Sequence, residues 1–183
     1  IRPKTGEVLA MANSPTYDPN DPFTPNTDEL KQKWDTMTIE EKNVALNDMW
    51  KNKAITNIAE PGSTFKIVTA TAALEENVTT MDKAGEFNCA GSMKVGSWTI
   101  KCWRSYNPHG SESLRQGIMN SCNPVFMQVA QRIGIETYCK YLEAFNLYSK
   151  TGIDLPGEQS GYMHDPETMT EVDLATTSFG QTI

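Results

Sequence analysis

The sequence predicts an α/β fold, in which a strand-like start is followed by a helical region. Two observations lead to this prediction. Residues 6–11 (GEVLAM) are strand-like, whereas helix-start signals recur from residue 38 onward. The chain has 183 residues, of which 38% are hydrophobic and 21% charged, so it can bury a core and form one domain or most of one.

The first helix is predicted from its capping residues. Residues 13–35 are rich in Pro, Asn, Asp and Thr and predict a long loop. Thr38 and Glu41 then have the spacing of a capping box, in which each side chain bonds the backbone N–H of the other residue. We therefore expect a helix through residues 41–46.

Similar signals predict the later helices. Ser113 with Gln116 forms a second capping box, which opens a short helix. Pro124 suits the first turn of a helix over 125–133, because proline lacks only an N–H that has no helical partner at that position. Two further helices are predicted over 135–145 and over 170–177, the last one closed by Gly180.

Charge and hydropathy exclude some classes of function. The formal net charge is −7 and no cluster of Lys and Arg is present, which argues against a nucleic-acid ligand. No apolar run approaches the ~20 residues that span a bilayer, and no signal-peptide pattern stands at Ile1. Because the chain begins on a strand-like segment, we expect that preceding residues, with any membrane anchor, are absent from it.

The segment 60–66 (EPGSTFK) carries the strongest chemical signal. Ser63 and Lys66 are three residues apart, which is nearly one helical turn, so a helix starting here places the amine above the hydroxyl. A serine becomes nucleophilic when a neighbouring base takes its proton, and a lysine does this when burial lowers its pKa. The alternative is an ordinary Pro-Gly-Ser turn followed by a helix N-cap.

A second motif, Ser121-Cys122-Asn123, lies between two predicted helices. Ser121 could pass protons and Asn123 could hold a substrate amide. If the three residues are extended, Ser121 and Asn123 face the catalytic cleft and Cys122 points the opposite way. The acidic residue Glu112 near this motif could bias a proton, but a helix N-terminus attracts acidic residues in any case.

The two motifs together resemble the penicillin-binding protein transpeptidases, specifically the class B branch and within it the elongation and sporulation types. The resemblance runs nearly end to end, through residues 3–12, 15–20, 60–66, 121–123, 152–158 and 178–181. The family's third motif, Lys-Thr/Ser-Gly on a later strand, is expected beyond residue 183, so we expect residues 1–183 to form a single incomplete transpeptidase domain lacking its C-terminal strands. Two Lys-Thr-Gly tripeptides do occur in the chain, at 4–6 and 150–152, but they lie where the family has its first strand and a loop. We therefore assign neither of them the role of the third motif.

The resemblance implies the penicillin-binding protein/serine β-lactamase-like transpeptidase fold, which is of the α+β type and here has a helical subdomain and a partial antiparallel sheet. It also implies a D,D-transpeptidase activity in the parent protein. In the family's pattern Ser63 is the nucleophile and Lys66 its base, while Ser121 relays the proton and Asn123 holds the donor peptide. The implied partners are peptidoglycan stem peptides, β-lactam antibiotics and a cell-wall glycosyltransferase of the same machinery, at the extracytoplasmic face of the cell membrane. Without the third motif we expect this chain to be impaired.

Two other functions compete with this hypothesis. A serine β-lactamase needs a deacylating water, and no Glu-containing loop in the right register is evident. A non-catalytic β-lactam sensor, or a zinc-stapled interaction module of the cell envelope, would use the same fold without cross-linking. Turnover of a cephalosporin would indicate the β-lactamase, and stoichiometric acylation without cross-linking would indicate the sensor. Absence of acylation would indicate the interaction module.

Three cysteines and a histidine between or within the motifs predict a structural zinc site. The four residues are Cys89, Cys102, His109 and Cys122. Their spacing is not that of a zinc finger, and two alternatives stay open: a Cys89–Cys102 disulfide, or buried free thiols with His109 in a turn. Some members of the class B branch, which this chain resembles, look as if a metal ion links the chain in this region, and this likeness supports zinc. Cys139 is expected in the core and His164 in solvent.

Overall fold

The computed structural model describes residues 1–162 and 164–183. The chain divides into two compact units, which we describe separately. The first unit comprises Ile1–Ile58 and Gly152–Gln159, and the second comprises Ala59–Thr151 and Ser160–Ile183. All residues of the predicted catalytic and metal sites lie in the second unit.

The first unit is helical where the capping box predicts a helix. Its helices are α1 (Asp28–Trp34), α2 (Ile39–Trp50) and α3 (Lys53–Thr56). At the start of α2, the Glu41 N–H donates to Thr38 Oγ1 at 3.2 Å and the Thr38 N–H donates to the Glu41 carboxylate at 2.8 Å. The predicted helix is therefore confirmed, and it extends further than residues 41–46.

Two predictions for the first unit are wrong. Helix α1 lies inside the predicted loop, because Thr27 caps it by accepting the Leu30 N–H, with acidic residues in its first turn and basic residues in its last. The strand expected over 6–11 is not formed, and the only pairing near it is a bridge between Arg2 and Glu7. A strand needs a neighbouring strand for its hydrogen bonds, and the described residues offer none beside this segment.

The second unit combines helices with two small antiparallel sheets. Strand β1 (Phe87–Cys89) pairs with β4 (Gly110–Glu112), and β2 (Ser92–Val95) pairs with β3 (Trp98–Lys101). A 3-10 turn spans Gly62–Phe65, and the helices are α4 (Lys66–Glu75), α5 (Leu114–Met119), α6 (Asn123–Ile133), α7 (Ile135–Ala144) and α8 (Glu171–Thr177). The predicted α+β class is confirmed. Among the described residues, no helix has the length and apolar character that crossing a bilayer requires.

Helix α6 forms the centre of the second unit and contacts α4, α5, α7, α8 and β1. Most of its residues are buried: Pro124, Val125, Phe126, Met127, Val129, Ala130 and Ile133. Helix α5 approaches it closely at Gly117, where an added Cβ would lie 2.5 Å from Val125 Cγ1. The close packing of α5 on α6 determines where the short turn between them, which carries Ser121, is placed.

The two remaining predictions for single residues have different outcomes. Cys139 is buried in the core, as expected. His164 is also buried, so its predicted exposure is wrong. Its Nε2 contacts the carbonyl oxygen of Thr182 and lies 3.4 Å from Thr177 Oγ1. Because these partners replace hydrogen bonds to water, the imidazole can be buried at little cost.

Candidate active site

Ser63 and Lys66 meet at the junction between the 3-10 turn and α4. Lys66 Nζ donates to Ser63 Oγ at 3.1 Å. The turn is a 3-10 helix rather than the first turn of an α-helix, with Gly62 at φ 59°. Because side chains at i and i+3 eclipse in a 3-10 helix, this conformation brings the amine directly over the hydroxyl.

The second motif completes a network around the same amine. Lys66 Nζ lies 2.9 Å from Ser121 Oγ, 2.8 Å from the Ser121 carbonyl oxygen and 2.7 Å from Asn123 Oδ1. Ser121 Oγ in turn donates to Ser63 Oγ at 2.9 Å. An ammonium group has three protons, so it cannot serve all four acceptors at once. The amine of Lys66 therefore contacts both serine hydroxyls, and a proton can move among these three groups along their hydrogen bonds.

The backbone of the second motif differs from the extended conformation considered above. Ser121 is left-handed, with φ 49°, Cys122 is extended and Asn123 is the first residue of α6. The chain must pass from α5 to α6 within a few residues, and the left-handed residue makes this reversal and turns its carbonyl toward Lys66. The expected separation of the side chains is nevertheless present, since Cys122 belongs to the cysteine–histidine group described below.

Burial changes the protonation of Lys66. Its side chain is almost inaccessible, with 4% of the residue exposed. Removal from water lowers the pKa of Lys66 to about 8, although the nearby Cys122 and Cys102 sulfurs oppose this effect. The ring centres of Phe126 and Phe179 lie 5.4 and 6.0 Å from Nζ and form part of its surroundings. A sizeable fraction of Lys66 is therefore uncharged near neutral pH.

The segment after α8 holds the turn that carries Ser63. The Gly62 N–H donates to the Gly180 carbonyl at 2.9 Å, and a Cβ on Gly180 would lie 2.1 Å from Gly62 O. Thr69 Oγ1, one turn further along α4, donates to the Ser178 carbonyl at 2.8 Å. Gly180 also has a φ of 81°. Only glycine combines this backbone conformation with so close an approach.

The four predicted metal ligands form one group, which we call the cysteine–histidine cluster: Cys89, Cys102, His109 and Cys122. One ligand atom of each residue lies within 4.8 Å of the others, and Cys102 Sγ is 3.7 Å from His109 Nδ1. In tetrahedral zinc sites, donor atoms lie roughly 3.5–4 Å apart. The donor types are those of a structural zinc site, and the Cys102–His109 separation lies within this range, while the ligand atoms of the whole cluster lie within 4.8 Å of one another. All four cysteines of the chain are free, so the described structure does not contain the alternative Cys89–Cys102 disulfide.

Two residues beside the second motif were not identified from the sequence as part of the site. Asn120 immediately precedes Ser121, and its Nδ2 donates to Glu112 Oε1 at 2.6 Å. Glu112 is fully buried, so it does not serve as a solvated charge at the end of a helix. The Trp103 indole N–H donates to the Asn120 carbonyl at 3.0 Å. The position of Glu112 near the second motif drew attention to it in the sequence, but its burial and its bond to Asn120 were not predicted.

Comparison with known proteins places this geometry in a family. The family model described as the penicillin binding protein transpeptidase domain matches residues 1–183. Stage V sporulation protein D of Bacillus subtilis is 35% identical over 99% of this chain and 25% of its own length. Peptidoglycan D,D-transpeptidase MrdA of Acinetobacter baumannii is 28% identical over 100% of this chain and 26% of its own length. The chain thus spans about a quarter of the length of these relatives.

Solved structures agree with the family match. Penicillin-binding protein A of Mycobacterium tuberculosis, in an imipenem acyl-enzyme complex, superposes with a TM-score of 0.74 at 28% identity, over 98% of this chain and 40% of that one. Penicillin-binding protein 2 of Pseudomonas aeruginosa, in complex with WCK 5153, gives a TM-score of 0.75 at 25% identity, over 99% and 41% of the two chains. The predicted fold and the class B resemblance are confirmed. The chain belongs to the penicillin-binding protein transpeptidase family.

Proposed function

We propose that the full-length protein carrying this chain is a D,D-transpeptidase, which cross-links peptidoglycan stem peptides through an acyl-serine intermediate. The observation that carries the proposal is the network in which Ser63, Ser121 and Asn123 all contact the buried amine of Lys66. A relative named peptidoglycan D,D-transpeptidase and a neighbour described as an acyl-enzyme complex support the same reaction class.

The first half of the reaction forms the acyl-enzyme. Uncharged Lys66 takes the proton of the Ser63 hydroxyl, and Ser63 Oγ bonds to the penultimate D-alanine carbonyl of the donor stem. The backbone N–H of Ser63 supplies one donor to the resulting oxyanion. Ser121 lies 2.9 Å from both Ser63 Oγ and Lys66 Nζ, so it relays the proton to the terminal D-alanine nitrogen as the C–N bond breaks. Terminal D-alanine then leaves as a free amine.

The second half transfers the acyl group. The amine of an acceptor stem attacks the ester, loses its proton to the Lys66–Ser121 pair, and Ser63 regains its hydroxyl hydrogen as the ester bond breaks. Asn123 holds the donor peptide backbone through its side-chain amide, whose Oδ1 is positioned by Lys66 at 2.7 Å. A β-lactam offers a strained amide in place of the D-alanine bond and therefore acylates Ser63.

The cellular setting follows from the substrate. Cross-linking of stem peptides takes place outside the cytoplasm, so we place the full-length protein at the extracytoplasmic face of the cell membrane. The partner implied there is a glycosyltransferase that makes the glycan strands. The likeness to a protein named for stage V of sporulation favours a sporulation role.

We further propose that the cysteine–histidine cluster binds one structural zinc ion. Cys89 ends β1, Cys102 follows β3, His109 precedes β4 and Cys122 is the N-cap of α6, so four chain segments meet there. Zinc bound at the cluster supplies a cross-link between these segments and no chemistry at Ser63. Elemental analysis of the full-length protein should give one zinc per chain, reduced in Cys102→Ser. Cys139→Ser, a buried cysteine outside the cluster, is the matched control.

Covalent labelling by a fluorescent penicillin tests the transpeptidase proposal. The full-length protein should gain one adduct, located by peptide mass at Ser63, and Ser63→Ala should gain none. Thr64→Ala is the matched control, because its exposed hydroxyl lies in the same turn and donates to the Pro61 carbonyl. An adduct that persists in Ser63→Ala contradicts the assignment.

The alternative functions give different results in the same preparation. Rapid turnover of a chromogenic cephalosporin indicates a β-lactamase. A stable adduct without cross-linking of stem peptides indicates a β-lactam sensor, and absence of any adduct in the full-length protein indicates an interaction module. The likeness to a relative named peptidoglycan D,D-transpeptidase favours the transpeptidase over these alternatives.

A further inference from the structure

Glu112 is a buried carboxylate that the proposed mechanism does not use. It ends β4, and its side chain is 2% exposed. Aspartate and glutamate are almost never fully buried unless a partner compensates the loss of hydration. One oxygen accepts the Asn120 Nδ2–H at 2.6 Å, and the other faces the cysteine–histidine cluster, 4.0 Å from His109 Nδ1. Glu112 thus lies between the cluster and the turn that carries Ser121.

Asn120 is held at three places. Its backbone N–H donates to the Gln116 carbonyl, its carbonyl accepts the Trp103 indole N–H at 3.0 Å, and its side chain donates to Glu112. Trp103 follows the ligand Cys102, and Glu112 stands three residues after the ligand His109. Two of the three contacts therefore come from the segment that carries the cluster.

The residue after Asn120 needs such support. Ser121 adopts a left-handed backbone conformation, at φ 49°, which is sterically unfavourable for a residue that has a Cβ. It keeps that conformation only if its surroundings determine it. In this conformation the Ser121 hydroxyl meets both Ser63 Oγ and Lys66 Nζ at 2.9 Å.

We infer that Glu112 is a positioning residue, which fixes Asn120 and thereby holds the Ser121 hydroxyl between Ser63 and Lys66. The inference rests on the proposed acyl-transfer function and extends it by a residue that is not one of the four members of the Lys66 network. Glu112 also interacts with the Cys122 side chain, but it touches neither Ser63 nor Lys66, and the role inferred here is the one through Asn120. The hydrogen bond itself carries this role, so an acceptor of the same shape should preserve it.

The experiment measures penicillin acylation of the full-length protein by stopped flow, which separates the first-order acylation constant from the dissociation constant of the initial complex. Glu112→Met should lower the acylation constant roughly 10- to 100-fold, as loss of outer contacts typically does. The dissociation constant should be unchanged, because Glu112 contacts Asn120 and not the ligand site. Glu112→Gln keeps a carbonyl acceptor for Asn120 and should retain the rate within a factor of about 3.

A second variant, at Asn120, tests the positioning role of Glu112 without changing the buried Glu112 side chain itself. Asn120 is exposed, so Asn120→Ala removes the donor and leaves the core side chains in place. It should slow acylation as Glu112→Met does, and the double variant should be no slower than the slower single one, because both changes remove the same hydrogen bond. Independent, multiplying effects would overturn the inference.

The matched control is Glu86→Met. Glu86 is also a buried carboxylate of the second unit, with its side chain 3% exposed, and it is held by Lys83, Thr79 and Arg132. Its loss should leave the acylation constant at the wild-type value. Zinc content is measured in every variant and should stay at the wild-type level in Glu112→Gln and Asn120→Ala.

The outcomes separate this inference from the proposed function. Wild-type protein that is acylated at a rate unaffected by Glu112→Met and Asn120→Ala overturns the inference alone. Equal losses in Glu112→Met and Glu86→Met also overturn it, because they indicate general destabilisation. Wild-type protein that is not acylated contradicts the proposed function, and the inference falls with it.

Discussion

Acylation of the full-length protein should depend on pH through the protonation of Lys66. Burial lowers the pKa of this amine to about 8. Only the uncharged amine can take the Ser63 proton, so the rate should follow the uncharged fraction. This fraction is about one in a hundred at pH 6, one in ten at pH 7 and nine in ten at pH 9. The second-order acylation constant should therefore rise roughly tenfold from pH 6 to 7, roughly tenfold again to pH 9, and then level off.

The assay is fluorescent-penicillin labelling under subsaturating conditions, read at short times so that hydrolysis of the β-lactam does not contribute. Lys66→Arg is the matched control, because a guanidinium keeps the charge and the donors but does not lose its proton in a protein. It should not be acylated anywhere between pH 6 and 9. A wild-type constant that is equal at pH 6 and pH 9, or a midpoint below pH 7, would refute the role of Lys66 as the base.

Three further predictions concern stability. Thr69→Val leaves the Tyr138 hydroxyl and the Ser178 carbonyl without their buried partner, so urea denaturation should show a loss of about 2–4 kcal/mol, whereas Thr69→Ser should retain most of the stability. Gly180→Ala introduces a Cβ 2.1 Å from Gly62 O at a left-handed position, and a loss of about 2–4 kcal/mol is expected in the same assay, together with slower acylation. Removal of zinc by a chelator should lower the Tm measured by calorimetry, and re-addition should restore it; an unchanged Tm would contradict a structural metal.

The local signals in the sequence predicted most helix starts correctly. Thr38 with Glu41 and Ser113 with Gln116 form the expected capping boxes, and Pro124 lies in the first turn of α6. These predictions succeed because a cap is made by residues within one turn of each other. The strand expected over 6–11 failed for the opposite reason, since a strand is stabilised by a partner that the local sequence does not contain.

The site shows the same division. The residue types and spacings predicted the serine–lysine pair, the second motif and the four members of the cysteine–histidine cluster. They did not predict that Ser121 is left-handed, because its conformation is imposed by the packing of α5 on α6. Nor did they predict the fully buried carboxylate of Glu112 beside Asn120.

What the sequence by itself determined is therefore the chemical identity of the groups: two serine hydroxyls, a lysine amine, an asparagine amide, and a set of thiol and imidazole side chains. The tertiary structure alone decided how these groups are tuned and held. The pKa of the Lys66 amine is lowered because burial removes its hydration. The Ser121 hydroxyl reaches this amine because the fold packs a segment 55 residues further along the chain against the start of α4. Desolvation and long-range packing depend on the whole fold, so no local pattern can encode them.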